Sequence, residues 1–193
     1  MSWSRILNTP LAEKATAMYG CDPRRIAHNW SHIQDLYWAA EHVYRLAYDE
    51  NLDKAILTHD VIYDEHPEKE KRSAIWLLHN CDDDGVQDAA DHVMRTEQPR
   101  VTSDNRMILL DYARLRKREL ILPDRRKILE EAMALNGTTE AQFAQGSLSY
   151  FESVVSQFSE ERIANCAEWE KAAFREIRTG MEFSIGYCTA CLQ

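Results

Sequence analysis

Two histidines and two aspartates fall where polar side chains are costly. His32 stands four positions before Leu36, in the series His32, Leu36, Ala40, Val43 and Ala47 that traces one face of a helix. His59 and Asp60 sit within the face formed by Leu52, Ala55, Ile56 and Tyr63, and Asp111 is in register with Met107, Ile108 and Leu115. Three helices thus point His, His-Asp and Asp into apolar surroundings, where an unpaired carboxylate costs several kcal/mol or gives up its charge. One divalent cation would satisfy all four. Two imidazoles and two carboxylates, with positions left for water, form a mixed N/O set suited to Mn, Co, Ni, Zn, Fe or Mg. The bland alternative is a buried set of ordinary hydrogen bonds.

The elements that must position these residues are helical. Apolar residues recur at helical spacing over about 27–48, 52–63 and 69–80, and the charged stretch 64–72 with Pro67 separates the last two. Val86, Ala89, Ala90 and Val93 mark a further helix stopped near Pro99, and Met107, Ile108, Leu110 and Leu115 begin another. Asn136-Gly137 followed by Thr-Thr-Glu reads as a C-cap and then an N-cap, leading into helices near 139–158 and 159–178. Strand-like alternation is scarce. The expected fold is all-α, one domain over 1–193, with 180–193 as a tail of no assigned structure. The length of 193 residues and 45% hydrophobic content suit a single core. A net charge of −9 argues against a binder of long nucleic acid or of an anionic membrane, and no apolar run is long enough to span a bilayer. Five cysteines without framework spacing, and no secretory signature in the first ten residues, lead us to expect reduced thiols in the cytoplasm.

Read as motifs, the same residues resemble a known family. The chain carries Arg25-Ile26-Ala27-His28-Asn29-Trp30-Ser31-His32-Ile33, then His59-Asp60-Val61-Ile62-Tyr63-Asp64, then Glu70-Lys71-Arg72-Ser73-Ala74. Leu110-Asp111-Tyr112-Ala113-Arg114-Leu115 follows, and Ala164-Asn165 with Glu168 and Glu170 closes the series. These segments are similar to those of the HD superfamily of metal-dependent phosphohydrolases, and most of all to a bacterial group of predicted HD-superfamily hydrolases, over about 25–170. The resemblance implies an HD-domain-like helical bundle and one divalent metal held by His32, His59, Asp60 and Asp111. It also implies hydrolysis of a nucleotide or another small phosphorylated metabolite by a metal-activated water. Three positions depart from the family pattern: Ala27 replaces an aromatic residue, Pro99 stands where a Thr-x-x-His segment ends, and Leu109 replaces an acidic residue.

The motif match extends the site beyond the ligands. Asp60 and Glu70 are the candidate catalytic carboxylates, able to orient or deprotonate a water. Arg25, His28, Asp64 and Arg72 are the candidate substrate contacts, with Arg25 offering a planar fork to a phosphoryl group. The rival reading is a non-catalytic binder of metal or nucleotide, which the missing Thr-x-x-His histidine favours; a homo-oligomer is left open. A two-metal oxygenase or phosphodiesterase would use His79 and His92, but His92 stands beside the Ala89, Ala90, Val93 stripe and both are read as surface or half-buried histidines. The run 114–127 holds seven basic residues against two acidic ones. It reads as a solvated helix and turn, with steering of an anionic substrate as the alternative. Cys188-x-x-Cys191 is one pair without a second, which is weak grounds for zinc or redox chemistry.

Overall fold

Helices account for every regular element among residues 3–193, which the computed structural model describes, and no strand occurs among them. None of these helices is long and apolar enough to cross a membrane. The chain gathers into two compact units, Met1–Gln98 and Pro99–Gln193. The division falls at Pro99, which the sequence marks as a helix stop but not as a boundary.

In the first unit, α1 (Pro10–Gly20) starts where Thr9 accepts the Ala12 N–H and Pro10 supplies a preset first turn. α2 (Trp30–Trp38) begins later than its apolar periodicity suggests. Asn29 accepts the Ser31 N–H and donates from its amide to the Ile26 carbonyl, so its side chain ends one backbone path and opens the next. The helix then widens into a π turn over Ala39–Val43 and stops before Arg45, whose φ is 51°. α3 (Glu50–Thr58), capped by Asp49, is buried on all sides from Leu52 to Thr58. Even Lys54 is only 2% exposed, its ammonium paired with Glu50 at 2.9 Å and Asp83 at 3.1 Å. α4 (Lys69–Asn80) and α5 (Val86–Glu97) complete the unit, and α5 packs against both α3 and α4.

The second unit holds α6 (Arg106–Asp111), a 3-10 turn at Ala113–Arg116, α7 (Arg118–Asn136), α8 (Glu140–Gln157), α9 (Glu160–Ile163) and α10 (Glu168–Cys191). Gly137, at φ 65°, closes α7, and Thr139 with Gln142 forms the capping box of α8. The helix expected over 159–178 is instead two. The chain breaks after Ile163 and restarts where Glu170 accepts the Ala167 N–H at 3.0 Å. The tail at 180–193 is the C-terminal part of α10. Phe174, Ile177, Met181, Ser184 and Cys188 form one buried stripe along that helix.

Gly180 and Gly186 are what dilute the helical pattern in the tail, and they have different roles. A Cβ at Gly180 would lie 2.0 Å from the Leu115 carbonyl oxygen, whereas one at Gly186 meets nothing within 4 Å. Gly180→Ala forces two backbones apart and is expected to cost about 3 kcal/mol, while Gly186→Ala is expected to stabilise by about 0.5–1 kcal/mol. Urea unfolding of the two variants checks this; equal midpoints would mean that the close approach of α10 to Leu115 does not exist.

Candidate metal centre

The first unit brings three of the four sequence-expected ligands together. His32 lies in the first turn of α2, while His59 and Asp60 occupy the turn that follows α3. The sequence places the His-Asp pair inside a helix continuing to Tyr63; α3 in fact ends at Thr58. The Thr58 hydroxyl donates back to the Lys54 carbonyl, and the Val61 N–H turns to the Thr58 carbonyl at 3.1 Å. Ending the helix there releases Asp60 from helical spacing, so its carboxylate can meet the imidazole of its own neighbour.

The geometry is that of three ligand-type atoms converging on one point. His32 Nε2 and His59 Nε2 are 3.2 Å apart, and Asp60 Oδ2 is 3.0 Å from His59 Nε2 and 3.6 Å from His32 Nε2. All three residues are buried. His59 Nδ1 donates to the Ile56 carbonyl at 3.1 Å. A carbonyl can only accept, so Nδ1 carries a proton and Nε2 is the nitrogen turned toward the cluster. Asp60 Oδ2 is buried and no hydrogen bond satisfies it. Burial works against the Asp60 charge but is outweighed by the charge of His59 and then by those of His28 and His32, so this carboxyl is held well below its usual range.

These residues fit a divalent cation. At metal–ligand distances of about 2.1 Å, neighbouring ligand atoms lie about 3.0 Å apart in octahedral coordination and about 3.4 Å apart in tetrahedral coordination. Two of the observed separations, 3.0 and 3.2 Å, fall in that range and the third, 3.6 Å, lies just above it. Two imidazoles and one carboxylate supply three ligands and leave positions for water, and the Ile56 carbonyl behind His59 is the kind of outer partner that holds a ligating ring in its tautomer. Among the described residues, His32, His59 and Asp60 are the group of His, Cys, Asp and Glu side chains able to hold a metal ion. Asp111 is the last residue of α6 in the second unit and is half-buried.

The remaining expected site residues fall into different arrangements. His28 lies beside the cluster, edge-on to the His32 ring at 5.8 Å and stacked on Tyr63 at 4.0 Å. Lys69 folds its ammonium over the same Tyr63 ring at 3.7 Å. Arg25 does not aim a fork outward: it is buried, and its guanidinium donates to main-chain carbonyls. Asp64 and Arg72 pair with each other through two bonds of 2.7 Å, and the Arg72 bonds are the main cause that lowers the Asp64 carboxyl to about 2. Glu70 is half-buried in the first turn of α4. Ser73, three residues on, accepts the Ile62 N–H at 3.0 Å and so ties the start of α4 to the segment just beyond Asp60.

His92 corrects the sequence reading. It is 5% exposed and shares a buried face with Ala89, Val93 and Thr96, a stripe that becomes visible only when Thr96 is counted with the apolar residues. Arg95 donates to its Nδ1 at 3.4 Å. His79 is exposed, and neither histidine belongs to the donor group. Part of the basic run is held in ion pairs: Arg114 with Asp124, Arg116 with Glu176, and Arg126 with Glu130. Tyr19 and Ser73 are the supports that sequence reasoning missed. The Tyr19 hydroxyl donates to the Leu57 carbonyl at 2.9 Å, and main-chain partners of this kind leave no signature in spacing.

No family model, curated protein or solved structure matches the chain.

Proposed function

We propose that the chain is a metal-dependent phosphohydrolase of the HD type, the family its sequence resembles, acting on a nucleotide or another small phosphorylated metabolite. The observation that carries this reading is the convergence of His32 Nε2, His59 Nε2 and the unsatisfied Asp60 Oδ2 in a buried pocket of charge. These three residues of the first unit would hold one divalent ion of the Mn, Co, Ni, Zn, Fe or Mg class. Such an ion supplies Lewis acidity toward a phosphoryl oxygen and lowers the pKa of a bound water. Asp60 stays ionised despite burial, and so contributes a negative charge that offsets part of the cation's charge. Glu70, in the first turn of α4, would accept a proton from an attacking water; the bond of Ser73, three residues on, to Ile62 supports that role by bringing the start of α4 to the segment beyond Asp60.

The test is phosphate release from a panel of nucleoside mono-, di- and triphosphates with added Mn, Co, Ni or Mg. Turnover that depends on the ion, and that chelation removes, is the expected result. One specific observation favours the rival reading of a non-catalytic metal binder. Arg25, Asp64 and Arg72, three groups that the family resemblance assigns to substrate, are engaged with the protein itself. Stoichiometric metal without turnover on any substrate of the panel would replace the enzyme with that binder.

A further inference from the structure

Arg25 draws together three stretches of chain that are remote in sequence. Its Nε donates to the His28 carbonyl at 2.8 Å, and its Nη2 donates to the Asp60 carbonyl at 2.6 Å. Its Nη1 reaches the Met18 carbonyl at 3.3 Å and the Val61 carbonyl at 3.4 Å. The group is 5% exposed and lies between two aromatic rings, 4.8 Å from the centre of Tyr19 and 5.7 Å from that of Tyr63. One planar group therefore binds the end of α1, the loop before α2 and the turn after α3.

The turn after α3 is where such help is needed. Main-chain carbonyls just past a helix end have left its hydrogen-bond ladder and, when buried, need other donors, which a basic side chain can supply. Here the carbonyls concerned belong to Asp60, a member of the donor cluster, and to Val61 beside it. Asp60 Oδ2 meets the two imidazoles only while its own main chain is held at one angle, because a carboxylate on a single-carbon stem has little reach of its own. A rigid fork with several donors sets that angle better than a point charge on a flexible stem. Charge alone would work the other way. A guanidinium beside a cation site repels the cation, so its burial there is explained by what it bonds to.

We infer that Arg25 is a positioning residue of the metal centre: it holds the turn that follows α3, and by fixing the Asp60 main chain it sets the angle at which the carboxylate meets His32 and His59. This inference rests on the metal reading above, and its test separates the two. Co(II) is titrated into the wild-type chain, Arg25→Lys and Arg25→Gln, followed by visible absorption, with far-UV circular dichroism as the check on folding. Both variants are expected to bind Co(II) about tenfold more weakly or worse, the scale seen when an outer partner of a ligand is removed. Wild-type affinity in Arg25→Lys with tighter binding in Arg25→Gln would show that only the charge matters, and would overturn the inference.

A metal-free readout accompanies the titration. Exchange of the Val61 amide, which bonds to Thr58 in the turn that Arg25 holds, is expected to quicken about tenfold in Arg25→Lys. An unchanged rate overturns the role of Arg25 in holding that turn, whether or not Co(II) binds. A wild-type chain that binds no Co(II) overturns the metal centre instead. If neither variant folds, the wild-type protein decides: the Arg25 Nε–H should exchange much more slowly than that of the exposed Arg100, and equal rates would overturn the inference.

Discussion

Asp60→Ala is expected to remove metal and turnover together while the helices remain. The substitution takes away the one anionic member of the cluster and leaves two imidazoles facing each other at 3.2 Å. A divalent ion would then be bound without charge compensation, and metal uptake in such sites is coupled to the deprotonated ligand set as a whole. Elemental analysis after desalting should find metal in the wild-type protein and none above background in the variant. Thermal unfolding gives an independent measure. An ion at a hundred times its Kd stabilises a folded chain by about 2.7 kcal/mol, so added metal should raise the wild-type Tm and leave that of Asp60→Ala where it is. Asp60→Asn sharpens the comparison because it keeps the shape and removes the charge. A variant that still carries one metal per chain would mean that the ion lies elsewhere, and the convergence of His32, His59 and Asp60 would have to be an ordinary buried hydrogen-bonded set.

How far this site was legible in the sequence varies residue by residue, for physical reasons. His32 and the His59-Asp60 pair were legible because residue type and helical spacing are local properties, and a polar side chain on an apolar stripe is conspicuous. The end of α3 was not. Leu52, Ala55, Ile56 and Tyr63 keep helical spacing through a segment where the backbone turns at Thr58, since Val61 and Tyr63 are drawn inward by the fold whether or not the helix continues. Arg25 was legible as a residue of interest and illegible in its role. Two of its partners are carbonyls 35 and 36 residues away, and every residue has a carbonyl. His92 was misread because Thr96, a polar residue, was left out of the face that buries it. The length of α10 was hidden by Gly180, a poor helix former kept where a Cβ would strike Leu115. Local patterns thus carried the donor types, whereas the angles between donors depend on contacts between distant main-chain atoms.

Glu70→Gln is expected to separate metal binding from chemistry. Glu70 precedes Ser73 by three residues and Ala74 by four, both of them buried, so the three share one face of α4. Ser73 is joined through its hydroxyl to Ile62, two residues past Asp60, which brings the first turn of α4 to the side of the His-Asp turn. A carboxylate in that first turn is also favoured by the unpaired N–H groups of the helix start, which stabilise negative charge there by about 0.3–1 kcal/mol. Glutamine preserves the size of the side chain and its ability to accept a hydrogen bond, but it can no longer take a proton from an attacking water. Turnover should therefore fall by about 10²-fold or more, the scale of a positioned acid or base, with metal content at the wild-type level. Glu68→Gln is the control, since Glu68 is exposed, paired with Lys71 at 2.7 Å, and has no such task. If Glu70→Gln kept full turnover at saturating metal while Asp60→Ala lost it, Glu70 would be a helix-start charge that stabilises α4. Asp60 would then remain as the only carboxylate of the first unit with a part in the reaction.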